Sequence, residues 1–255
     1  PTVDIYANGN LLIDNFAYRT ATPFFDVPAT VALDIAVAPG NSQSANDALA
    51  NFPVTFNQNK KYVVTASGIV GDPTTPFTLI VNSDARESAS GGTIDVSVLH
   101  GSTNAPSVDV DEILTGNLLT NLSYGQFTPY FNLDPGIYDL GVRATGSPNA
   151  VAIYRADLTS LPGVAATVFA SGFVGGSPGF GLFAALPNGT VIELPIMPTA
   201  RVQVIHNSPS PTVDVYAGNA RLIEDFAYRT ATPFIDVPAD RSFRIGVALD
   251  TSNSV

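Results

Sequence analysis

The sequence predicts an all-β protein made of tandem two-sheet β-sandwich modules, with a period of 105 residues set by motif starts at residues 1, 106 and 211. Three observations predict it. The first is repetition: PTVDIYA at 1–7 returns as PTVDVYA at 211–217, with a weaker copy, PSVDVDE, at 106–112. Residues 211–255 align with 1–45 without a gap and match at 26 of 45 positions. Fixed-period self-similarity marks tandem modules, and a module of this size can bury its own core. The second is patterning: short runs rich in Val, Ile, Tyr and Phe are punctuated by Gly, Pro, Asn, Asp and Ser, which reads as strands and turns. The third is the lack of any long amphipathic segment with a 3.6-residue period. Many short strands at this spacing indicate two packed sheets, with a small closed barrel as the structural alternative.

The middle module shows the fullest set of strands. They are expected near 93–100, 107–111, 117–122, 129–133, 137–143, 150–154, 167–174, 180–185 and 191–194. Counterparts of the later strands fall at 62–69 and 77–81 in the first module. The stretches 46–51 and 156–161 each have room for a turn or two of helix. Alternation gives a register: Ile94, Val96 and Val98 share one face of their strand, Asp95 and Ser97 the other. Val202 and Val204 repeat this in the third module.

The alignment divides the chain into a module at 1–90 whose first strand is missing, a module at 91–198, and the N-terminal half of a module at 199–255. The segment 82–92 (NSDARESASGG) is polar, small and unpatterned, and reads as a flexible linker. The second junction, 195–199 (PIMPT), carries two prolines and should be stiffer. A half sandwich exposes its core and an unpaired edge, so the chain is expected to continue in both directions or to borrow a strand from a head-to-tail copy. The nine residues FAYRTATPF are identical at 16–24 and 226–234, whereas the middle module has LSYGQFTPY at 122–130. The array therefore alternates, with a super-repeat of two modules.

Net charge is −11, from 22 acidic and 11 basic residues, and the only lysines are Lys60 and Lys61. That balance argues against nucleic acid, whose phosphates need clustered Lys and Arg. There is no cysteine, which excludes disulfides, thiolate chemistry and Cys-based zinc sites. No apolar run approaches the roughly 20 residues of a membrane helix.

The motifs resemble those of a bacterial family, domain of unknown function 4397. Its pattern runs V-x-V-x-H-x-S, P-x-V-D-V-Y, Y-x-x-x-T-P and a late A-S-G. Here VSVLHGS ends at Ser102 and VQVIHNS at Ser208, and P-x-V-D begins at Pro1, Pro106 and Pro211. The tyrosines are Tyr18, Tyr124 and Tyr228, and the late motif is Ala66-Ser67-Gly68 and Ala170-Ser171-Gly172. The middle module departs at Asp111, where the others carry Tyr6 and Tyr216. The resemblance implies secreted or surface-attached proteins of tandem Ig-like β-sandwich modules, with no established enzymatic role.

Each recurrent residue has a structural and a functional reading. His100 and His206, the only histidines, continue the apolar face of their strands. One histidine per module makes no multi-histidine metal site, so both are expected to be hydrogen-bonded structural residues. Asp4, Asp109 and Asp214 are expected to accept backbone N–H bonds near a strand end or turn. Asp109, Asp111 and Glu112 are weak calcium candidates, since no D-x-D-x-D-G loop occurs. Tyr18, Tyr124 and Tyr228, with Phe24, Tyr130 and Phe234, are core or corner residues, or else a sugar-stacking platform. Gly175-Gly176-Ser177-Pro178-Gly179 formally fits G-x-S-x-G, but Pro178 has no N–H to donate to an oxyanion and no helix pattern follows. It is expected to be a turn. Asn121-Leu122-Ser123 and Asn188-Gly189-Thr190 are formal glycosylation acceptors.

No nucleophile–base constellation emerges, so the chain is not expected to be an enzyme, and no cofactor is expected. The reading is an extracellular structural or adhesive repeat segment, whose partners are neighbouring modules of the same chain or head-to-tail copies. The rival is a glycan- or ligand-binding surface module.

Overall fold

The computed structural model describes residues 2–147, 149–239, 242 and 244–252. Pro1, which opens the first P-T-V-D copy, and residues 253–255 of the third module lie outside the described residues. The protein is all-β, of the sandwich type. Among the described residues the only helical segment is a 3-10 turn at Ala45–Asp47, overlapping the start of the stretch 46–51 expected to hold a turn of helix, whereas 156–161 forms the end of a strand and a turn.

The first module contains β1 (Thr2–Ala7), β2 (Asn10–Ala17), β3 (Ala32–Pro39) and β4 (Ala50–Thr55), in one sheet of order β2-β1-β3-β4. Its β5 (Val63–Ser67) and β6 (Thr78–Asn82) form a separate antiparallel pair. The middle module repeats and completes this plan. β7 (Ile94–His100), β10 (Phe131–Leu133), β13 (Ala165–Ser171), β14 (Gly181–Ala185) and β15 (Val191–Glu193) form a sheet of order β10-β7-β13-β14-β15. β8 (Val108–Glu112), β9 (Gly116–Leu122), β11 (Ile137–Ala144) and β12 (Ala152–Asp157) form the sheet β12-β11-β8-β9. In the third module, β17 (Val213–Ala217), β18 (Ala220–Phe226) and β20 (Ile245–Leu249) pair as β18-β17-β20, and β16 (Thr199–Val202) pairs with β19 (Ile235–Pro238). All nine strands expected in the middle module are present.

Alternation predicts the strands, but not their order. β13 runs parallel to β7, with Val168 opposite Val98 and Ala170 opposite His100, a pairing across more than half a module. Ile94, Val96 and Leu99 are buried, but so are Asp95, Ser97 and His100, so β7 is covered on both faces. Fully burying side chains such as Ile94 and Leu99 contributes about 1.5–3 kcal/mol each. In the third module, alternate β20 residues Ile245, Val247 and Leu249 are all more than half exposed.

The chain forms two compact units whose borders cut across the sequence modules. One comprises Pro1–Ala105, Tyr124–Pro135 and Leu161–Glu193, and the other Pro106–Ser123, Gly136–Ser160 and Leu194–Val255. The middle module thus gives its five-stranded sheet to the first unit and its four-stranded sheet to the second.

The segment 82–92 corrects the sequence reading. It is packed and not a free linker. Ala85 is buried, the Arg86 guanidinium pairs with Asp95 at 2.6 Å, and the Arg86 N–H donates to Tyr130 Oη at 3.2 Å. Ser88 bridges Val164, and the Ala89 N–H donates to the Gly163 carbonyl at 2.9 Å. Small polar residues carry no periodicity that would betray these contacts.

Candidate module-docking site

The repeated aspartate organises a bulge. β1–β2, β8–β9 and β17–β18 share the same register shifts, and each bulge holds one residue in the left-handed region: Asn15 (φ 51), Asn121 (φ 53) and Asp225 (φ 50). The N–H of that residue donates to the repeated carboxylate in every case: Asn15 to Asp4 at 2.9 Å, Asn121 to Asp109 at 2.8 Å, Asp225 to Asp214 at 2.9 Å. The three aspartates are buried, and the hydrogen bonds they accept offset the cost of burying a carboxylate. Hydrogen bonds hold two of them below the usual carboxylate range. For Asp4 the largest is from the Ser42 hydroxyl, then the Asn15 amide; for Asp109 it is from the Asn121 amide.

The calcium candidates do not converge. Asp109 and Asp111 both engage Arg143, with Arg143 Nη1 at 3.3 Å from Asp109 and Nε at 2.5 Å from Asp111. Glu112 turns to its own hairpin and accepts the N–H groups of Leu114 (2.8 Å) and Thr115 (2.7 Å). Among the described residues no three His, Asp or Glu side chains group as a metal site.

His100 at the end of β7, and His206 just after the isolated Ile205–Ala231 bridge, each close onto the tyrosine turn. His100 and His206 are buried. The His100 carbonyl accepts the Gly125 N–H, and the His206 carbonyl accepts the Arg229 N–H, both at 2.8 Å. Each ring meets an aromatic edge-on, Tyr124 for His100 and Phe226 for His206. Ser102 donates its hydroxyl to the Gly172 carbonyl at 2.7 Å, which ties the H-x-S motif to the late A-S-G.

The tyrosines reveal what sequence reasoning missed. Tyr18 of the first module shares a hydrogen bond, Oη to Oγ 2.7 Å, with Ser171 of the middle module. Tyr124 of the middle module shares one with Ser67 of the first, at 3.1 Å. Tyr18 and Tyr124 therefore each meet the A-S-G serine of the other's module, a reciprocal joint inside the first unit. Arg19 reinforces one side. Its Nη2 donates to the carbonyls of Ser171 (3.1 Å) and Gly179 (2.5 Å), and its guanidinium stacks 4.3 Å from the centroid of Phe183. The Phe24 N–H donates to the Pro187 carbonyl at 3.1 Å, and Pro23 bridges Asn188.

Gly172 allows the approach. At φ +89, a Cβ there would collide with the Gly179 carbonyl and the Arg19 guanidinium. Ser177-Pro178 lies in this turn, where the Pro178 carbonyl accepts the Phe173 N–H at 2.9 Å, so the segment is a turn that serves the joint.

The second unit holds a different joint. The Leu114 carbonyl, in the β8–β9 turn, accepts the N–H groups of Asn219 (2.8 Å) and Ala220 (2.9 Å) in the β17–β18 turn. Gly218, at φ +58, lies so close to Leu114 that a Cβ would contact its carbonyl at 3.0 Å. Among the remaining aromatics, Tyr130 lies under Arg86, Phe234 near Arg201 and Tyr228 under Arg229.

Tandem sandwich modules joined through their own family motifs define a repeat protein. The chain belongs to the family described as Domain of unknown function (DUF4397), whose model matches residues 1–111, 95–189 and 200–255. No curated protein and no solved structure matches the chain. No helix of the described residues is long and apolar enough to cross a membrane.

Proposed function

We propose that this chain is a structural or adhesive repeat segment of an extracellular surface protein or filament, in which the family motifs act as module couplers. The reciprocal pairing of Tyr18 with Ser171 and Tyr124 with Ser67 supports this reading. Repeat proteins gain stability from each unit and from nearest-neighbour interfaces, and motif residues spent on an interface serve mechanical continuity. The two different joints account for the alternation of sequence types, because odd and even modules meet through different surfaces. The recurrent Asp and His side chains, with Tyr18 and Tyr124, are engaged in holding bulges, strand ends and joints, which favours a non-enzymatic role.

A double-mutant cycle tests the coupler. Tyr18→Phe and Ser171→Ala should each lower the stability of the full chain, with a coupling of roughly 0.5–1.5 kcal/mol in the low part of that range, since Tyr18 stays 41% exposed. Additive effects would remove the coupler reading. Immunolabelling of intact source cells should find the protein outside, and specific retention of the chain on a glycan array would favour a binding module instead.

A further inference from the structure

The nine residues that dock the first module occur again, undocked. Residues 16–24 and 226–234 are both FAYRTATPF, and both fold into the same turn. Arg19 sits at φ 62 and Arg229 at φ 61. Thr20 and Thr230 each donate their hydroxyl three residues back, to Ala17 and Ala227, at 2.6 Å. Each guanidinium lies over the preceding tyrosine, at 4.9 Å in the first copy and 4.8 Å in the second.

Their surroundings differ. Arg19 and Phe24 are half-buried against the A-S-G end of β13 and the β14–β15 loop, while Arg229 and Phe234 are exposed. Among the described residues no acceptor meets the Arg229 guanidinium or the Tyr228 hydroxyl. The same local sequence thus holds an arginine and a tyrosine in the geometry that docks in the first copy.

We propose that Tyr228 and Arg229 form a docking surface for a middle-type module outside residues 1–255: a folded partner that presents an A-S-G serine hydroxyl, the carbonyl of that serine, a second carbonyl from a Gly-Ser-Pro-Gly turn, and an aromatic ring as floor. This rests on the coupler reading of the first-unit joint. The partner's chemistry is that of Ser171, Gly179 and Phe183, which receive the identical segment within this chain. A flexible peptide does not suffice, because the two carbonyls and the ring come from β13, its following turn and β14. Of the three A-S-G serines in residues 1–255, Ser171 is engaged by Tyr18 and Ser67 by Tyr124, and Ser90 has no Gly-Ser-Pro-Gly turn after it, so the occupant comes from outside these residues. The Ser67 site is also of the other kind, since its tyrosine is followed by Gly125 and not by arginine.

Chains of residues 1–255 test this by mixing. The acceptor carries Arg19→Ala and Tyr18→Ala to open its Ser171 site, together with Arg229→Ala and Tyr228→Ala so that it cannot pair with itself. The donor is the unaltered chain. Sedimentation velocity of the mixture should show a one-to-one complex absent from either chain alone. Arg229→Ala in the donor should weaken it by roughly 10-fold or more, as hydrogen bonds from a charged group to carbonyls are lost, and Ser171→Ala in the acceptor should weaken it too. An acceptor with Arg19→Ala as its only site-opening change serves if the double change disturbs folding, judged by its circular dichroism. No complex with a folded acceptor, or a complex indifferent to Arg229→Ala, overturns the proposal. If that happens while the Tyr18–Ser171 cycle shows coupling, the docking surface fails and the coupler reading stands; if the cycle shows no coupling, the coupler reading itself has failed.

Discussion

At the scale of single residues, backbone conformation and charge decide most. Gly172 and Gly175 flank the same turn, both with positive φ, yet a Cβ at Gly175 would meet nothing within 4 Å. Gly175→Ala should cost only the strain of a left-handed alanine, about 1 kcal/mol, whereas Gly172→Ala should cost at least about 1–3 kcal/mol because it also displaces Arg19 and the Gly179 carbonyl. Denaturant midpoints of the full chain compare the two, and equal costs would mean that position 172 is open. The bulge aspartates make an acid prediction. Asp4 and Asp109 have folded pKa values below the ordinary one, held there chiefly by Ser42 and Asn121 respectively. Their stabilisation is complete above the unfolded value of about 3.9 and is lost as pH falls through the lower folded value. Melting temperature should therefore fall below about pH 4, and Asp109→Asn should flatten that fall while lowering stability at neutral pH. A melting temperature unchanged down to pH 2 would refute it.

Among elements, the segment 82–92 shows how a polar stretch becomes structure. Its side chains are small, but Ala85 is buried, Arg86 spans Tyr130 and Asp95, and Ser88 and Ala89 reach the 163–164 backbone. Local opening is rare where backbone hydrogen bonds and packing hold a segment. Trypsin on the native chain should therefore cut first after Lys60, beside the exposed Gln58–Asn59 turn, and only later after Arg86. Early cleavage after Arg86, mapped by mass spectrometry, would restore the linker reading. The strands themselves were legible because each needs only alternation and a bounding turn. The parallel pairing of β7 with β13 was not, because no local pattern states which strand lies beside which.

For the whole molecule, the two compact units draw on three modules, and the middle one contributes a sheet to each. A fragment of residues 92–198 keeps both of its sheets and the hydrogen bonds between Asp109 and its bulge, but loses the Tyr18–Ser171 and Leu114–Ala220 contacts. It should fold as a β domain by circular dichroism and unfold at a lower denaturant concentration than the full chain, in keeping with the nearest-neighbour energetics of repeat proteins. A disordered fragment would show that the sequence repeat is not the folding unit; an unchanged midpoint would show that the joints add nothing.

The sequence alone determined the 105-residue period and the strands of the middle module, because repetition and alternation are local or one-dimensional properties. Only the tertiary structure decided what the tyrosines and the late serines are for. Tyr18 and Ser171 lie 153 positions apart, in different modules, and their hydroxyls meet at 2.7 Å. A hydroxyl in sequence carries no record of its acceptor; the fold chooses it by bringing two strand ends together, and the conformational freedom at Gly172 lets them come close.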